Sequence, residues 1–148
     1  MSETTPADPG TWLRGITIRQ PWATCLLTGA KTVENRPSPG WPLGLYLLHA
    51  GLAVDRTALR LPLVATTIRG RRLEQGAVIG VARLTDVHPD DGRCTPWADG
   101  RFHLIFTDVQ ELALPIPWPG QLGPWRPTQD LVDQVLLQLP HLTPEGTS

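Results

Sequence analysis

The sequence predicts a small α+β domain, mainly β, and three features of the chain carry that prediction. Runs with apolar residues at alternate positions recur along it and read as four or more strands. The helical segments between them are short and lack the strand-helix-strand rhythm of a parallel α/β fold. Sixteen prolines and fourteen glycines punctuate the intervals as turns. A small mixed or antiparallel sheet closed as a barrel, with short peripheral helices and a C-terminal helix, accommodates all three.

The elements follow in order. Residues 1–12 are polar and carry prolines, as a frayed terminus does, and 141–148 read the same way, leaving one domain over 13–140. LRGITIR, residues 13–19, places β-branched side chains at alternate positions and reads as a strand. Pro21 then opens a short helix with Trp22, Cys25 and Leu26 at helical spacing and Gly29 as its C-cap. KTVENR favours extension, PSPGWPLG is a turn region, and GLYLLHAG, 44–51, is a fully buried strand. Over 53–74, Asp55 is a candidate N-cap, and Pro62 breaks the leucine-rich stretch into two short helices. GAVIGVARLTDVH, 76–88, is the clearest strand; a turn-rich loop holds 89–100, and FHLIFTDVQEL, 102–112, pairs back. LPIPWPGQLGPWRP lacks too many N–H groups to sit inside a sheet and should wrap its edge as ordered loop. Thr128 caps a final helix whose Leu131, Val132, Val135, Leu136 and Leu139 face inward.

Composition narrows function. At 148 residues the chain suits one core, and 41% apolar with 18% charged residues is a globular balance. The opening MSETTPADPG has no basic start or apolar run, and no stretch of about 18 apolar residues occurs, so the reading is a cytoplasmic protein with no membrane partner. A net charge of -1 argues against coating nucleic acid by bulk electrostatics, although a local basic site is compatible with it. Cys25 and Cys94 form neither a C-x-x-C pair nor a zinc set, no HExxH accompanies the histidines, and neither metal nor cofactor is implied. The basic residues are twelve arginines and one lysine, Lys31, which stands inside the densest motif of the chain.

That motif resembles a family signature. ITIRQPWATCLLTGAKTVENR, residues 16–36, is similar to the ASCH family's strand, Q-P-W helix start and G-x-K-x-x-E-x-R. GLYLLHAG, GAVIGVARLTDV, TPWADGRFHLIF and LGPW follow in the family's order, so the resemblance covers most of 13–126. It implies a PUA-like fold, a small mixed β-barrel with helices over its openings, and a cleft that receives Lys31, Glu34 and Arg36. Relatives of this fold commonly bind RNA, ASCH members are proposed to act in RNA metabolism or transcriptional coactivation, one bacterial branch hydrolyses N4-acetylcytidine, and some members are reported as ribonucleases. The resemblance sets the ligand class, RNA or a nucleotide or modified nucleoside, better than the reaction. Glu34 departs from the deacetylating branch, which carries threonine three residues after its lysine.

The chemistry of the motif follows from residue type. Lys31 can anchor phosphate, or act as base or nucleophile if burial lowers its pKa. Glu34 can accept from a base amino group, as acidic side chains do with cytosine N4. If KTVENR is fully extended, Lys31 faces away from Glu34 and Arg36; if the chain bends after the helix, all three converge. The competing structural reading is a Lys31–Glu34 ion pair at a helix end with Arg36 packed on an aromatic. Trp22, Trp41 and Trp97 offer base-stacking faces, with Trp97 favoured by its loop, although six tryptophans in a small domain serve mostly as core. The candidate ligand-binding set is Gln20, Trp22, Lys31, Glu34, Asn35, Arg36, His49 and Trp97, with Lys31 and Glu34 catalytic if the protein is an enzyme. His49, His88 and His103 also read as core histidines, and Arg69, Arg71 and Arg72 as either a phosphate patch or a solvated helix end. A binding module is the first functional reading, a small hydrolase of a modified nucleoside or RNA the second, and a protein-interaction domain the third.

Overall fold

The computed structural model of the chain describes residues 12–90, 101–143 and 146–147. Its main sheet has five strands, β1 (Leu13–Gln20), β2 (Val33–Arg36), β3 (Gly44–Val54), β4 (Ala77–Pro89) and β5 (Phe102–Pro117), in the order β1-β3-β4-β5-β2. β1 and β3 run parallel, and the other pairs are antiparallel. The sheet is therefore mixed. Helices α1 (Trp22–Leu27), α2 (Pro62–Thr67) and α3 (Gln129–Gln138) are short, and a 3-10 turn at Ala58–Arg60 precedes α2, so Pro62 separates two helical turns as the sequence predicts.

β3 is buried along both faces because its leucines alternate between two cores. Tyr46, Leu48 and Ala50 pack with Ile16, Ile18, Leu26, Ile79, Leu104 and Phe106 inside the curl of the sheet. Leu45 and Leu47 join Val78, Val81, Ile116 and Trp125 on the other face, where α3 inserts Leu131, Val132 and Val135. The Thr128 hydroxyl accepts from Leu131 N at 3.3 Å, a cap that contributes about 1 kcal/mol to α3. Leu142 fills the same core, and Leu142–Thr143 pairs with Gly146–Thr147, so part of the expected C-terminal tail is tied down by an apolar anchor.

Two expectations are corrected. The proline-rich segment is not all loop, since β5 continues to Pro117. Its pairing with β4 is interrupted between Glu111 and Ile116, where Pro115 sits, and the Gln138 side chain takes both Leu114 N and Leu114 O, at 3.0 and 2.8 Å. A bulge and a side-chain amide thus replace the ladder bonds that proline cannot make. The sheet is also not a closed barrel. Its edges are β1 and β2; β2 is only four residues long and runs into Pro37, which leaves no regular backbone to close against. The outer edge of β1 is taken at Gly15, where Gly15 N donates to Trp125 O at 2.7 Å and Trp125 N returns a bond at 3.0 Å. Beyond that point the Arg36 side chain spans the seam between β1 and β2, its Nη2 donating to Thr17 O at 2.9 Å.

Candidate functional site

The sequence leaves two arrangements of the lysine, glutamate and arginine open, and the bent one is found. α1 ends at Leu27, Gly29 turns the chain at a φ of 81°, and Lys31 N is tied back to Cys25 O at 3.2 Å. Lys31 therefore precedes β2 instead of lying in its pleat, while Glu34 and Arg36 share one face of the strand. The Lys31 ammonium donates to Val33 O and lies 3.0 Å from Glu34 Oε1. Arg36 Nε and Nη2 approach Glu34 Oε2 at 3.0 and 2.9 Å. One carboxylate is held between two cations.

Burial pushes the Glu34 carboxyl up, but Lys31 and then Arg36 outweigh it, so the group sits below its ordinary value and is an anion at neutral pH. Lys31 is 1% exposed and its ammonium lies 5.8 Å from the centre of the Trp22 ring, whereas Arg36 is half-buried, with its guanidinium 5.0 Å over Trp41. The competing reading, an ion pair and an arginine seated on an aromatic, is thus realised. The same three residues nevertheless line a cavity of about 560 Å³ at the seam. Residues 17–19 of β1 form one wall and 34–37 the other, and residues 51–53 with Asp55 close the end. Trp22 lines it too; its Nε1 donates to Asp55 Oδ2 at 3.2 Å, while Asp55 Oδ1 accepts from Ala58 N at 3.1 Å, which fixes the indole at the rim. The arrangement offers a planar aromatic, two carboxylates with spare lone pairs and a partly exposed guanidinium.

No family model matches the chain, and no curated protein does. Solved structures do, among them the crystal structure of a serine-to-alanine mutant of ZmASCH from Zymomonas mobilis, and that of ASCH from the same organism. The mutant superposes with a TM-score of 0.56 at 18% identity, covering 87% of this chain and 98% of its own. The other gives 0.52 at 17%, covering 85% and 95%.

The chain has the ASCH fold.

Within that ASCH fold the structure brings Trp22, Lys31, Glu34, Asn35 and Arg36 together at one cavity. Gln20 and His49 are not part of its lining. Gln20 is buried, accepting from Thr24 N at 3.0 Å and donating to Glu74 O at 2.8 Å, so it ties α1 to the segment before β4. His49 is buried against Trp125 and bonds Trp118 O at 2.6 Å, a strut beneath the segment after β5. Trp97, like Cys94, lies outside the described residues. Arg71 and Arg72 are paired with Glu111 and Glu74 at 3.0 and 3.3 Å, which leaves a partly neutralised patch. Thr17, Arg19, Leu52 and Asp55 are cavity residues that sequence reasoning missed. Asp55 reads from the sequence as an N-cap; its carboxylate accepts from Ala58 N, but the N-cap position of that turn is Thr57. Nothing in the sequence signals that β1 and the end of β3 border the motif.

Proposed function

We propose that this ASCH-fold protein binds RNA, as a nucleotide or modified nucleoside held in the seam cleft, and acts in RNA metabolism. The supporting observation is the Glu34 carboxylate, kept ionised between Lys31 and Arg36 and lining a cavity that also has an indole rim. A fixed anion of this kind accepts from an exocyclic amino group, Trp22 offers a face to the ring, and the free N–H groups of Arg36 meet a carbonyl or phosphate oxygen. Lys31, nearly sealed and engaged with Val33 and Glu34, holds the carboxylate in place; phosphate falls to the arginine. Binding fits this geometry better than hydrolysis, because a carboxylate stabilised by two cations is a weak proton acceptor.

Calorimetric titration with nucleosides, N4-acetylcytidine included, and with short RNAs tests the reading. Glu34→Gln should weaken binding about tenfold or more, the scale of one lost base-edge contact, with circular dichroism unchanged. Unaltered affinity would overturn the role of the cleft. Turnover of N4-acetylcytidine or of an RNA oligomer at high protein concentration would replace binding with the hydrolase reading.

A further inference from the structure

Next to the seam cleft lies a second cavity, of about 440 Å³, whose lining includes Leu52, Pro117, Trp118 and Pro119. Leu52 is common to both cavities and 77% exposed, so the two adjoin at an apolar side chain. The shelf is rigid where it matters. Trp118 N donates to Gly76 O at 3.0 Å, Trp118 O receives the His49 bond at 2.6 Å, and the two flanking prolines restrict the backbone on either side. Its floor carries no side chains: a Cβ on Gly76 would stand 3.1 Å from Leu52 Cδ2, and one on Gly120 would stand 3.0 Å from Thr17 Cγ2, itself part of the seam wall.

Such a surface has the wrong chemistry for reading a base edge. It offers an indole, proline rings and a leucine, with no polar side chain in its lining, and so it can hold a π-face of any base without choosing among them. Between two stacked bases an oligonucleotide carries a phosphate. Arg19, exposed on the seam wall and in no ion pair among the described residues, supplies a cation on the same approach.

We infer that the shelf takes the base adjoining the one in the seam cleft, so that the ligand is a single-stranded oligonucleotide and not a free nucleoside. The inference rests on the nucleotide reading of the seam and extends it from one base to a run. The experiment compares ribonucleoside monophosphates with the corresponding dinucleotides by calorimetry. Wild-type protein should bind the dinucleotides about ten- to hundredfold more tightly, the range of one added stacking contact. Trp118→Leu keeps an apolar group against the core but removes the ring, and Pro119→Glu adds a carboxylate at an exposed position of the shelf. Each should cut that gain about tenfold while monophosphate affinity stays within about twofold. Equal affinity for both ligand lengths, or a gain that survives both variants, overturns the shelf and leaves the seam as a nucleoside site. Failure of both ligands to bind removes the seam reading, and the shelf with it.

Discussion

At the residue scale the balance of the site turns on Glu34. Removing its charge leaves the Lys31 ammonium at 1% exposure with the Val33 carbonyl and the Trp22 face but no counter-ion, and a broken buried pair of this kind costs about 3 kcal/mol. Glu34→Gln should therefore lower the urea midpoint at neutral pH. The folded carboxyl titrates below its ordinary 4.5, so its contribution is complete above that value and is lost as pH falls through the depressed one. Wild type and Glu34→Gln should converge in stability at the acid end of that window. A double variant, Lys31→Met with Glu34→Leu, separates function from folding, since replacing both charges by apolar groups of similar size is often neutral or stabilising. It should recover most of the lost stability and none of the binding; recovery of both would mean that the pair serves the core alone. The ion pair between the sole lysine and Glu34 was legible in the sequence, as were Glu34 and Arg36 on one strand face. The seal over Lys31 was not, because it depends on where α1 and Trp22 come to rest.

Among the elements, the segment after β5 is the least readable and carries its own prediction. Apolar patterning identified β1, β3, β4 and the first part of β5 because each buries one or both faces, and Thr128 marked the start of α3. Proline content pointed to loop over 114–127, whereas β5 runs on to Pro117 and only then leaves the sheet. What holds the departing segment is side-chain chemistry with sequence separations of more than sixty residues: His49 on Trp118 O, and the Thr17 hydroxyl accepting from Gln121 N and Trp125 Nε1, each at 3.2 Å. Periodicity has no access to contacts of that range. Burial lowers the His49 pKa below 6.5, and the Trp118 carbonyl opposes this only in part. Its stabilising contribution is full above 6.5 and is lost as pH falls through the folded value. His49→Gln should unfold at about 1 kcal/mol lower stability at pH 7, one hydrogen bond's worth, and should lose the wild-type decline as pH falls below 6.5. An unchanged slope in the variant would place the titrating group elsewhere.

For the whole molecule, the mixed sheet was legible and its closure was not, because closure depends on the length of β2 and on what occupies the outer edge of β1. With Gly15 paired to Trp125, the seam below it is spanned by Arg36, whose guanidinium holds both the Glu34 carboxylate and the Thr17 carbonyl. The group proposed to bind and the structural clasp are thus one side chain, and a ligand in the cleft should stiffen the two edge strands before any other part of the sheet. A ligand at a hundredfold excess over its Kd adds about 2.7 kcal/mol, which for a domain of this size raises Tm by about 8 °C. Hydrogen exchange locates the effect. Amides of residues 17–19 and 34–36 should gain protection with RNA bound, while the β3–β4 ladder, buried on both faces, changes little. Arg36→Gln without ligand should accelerate exchange at the same amides and nowhere else in the sheet. Protection spread evenly over all five strands, or centred on β4 and β5, would put the bound nucleotide somewhere other than the seam.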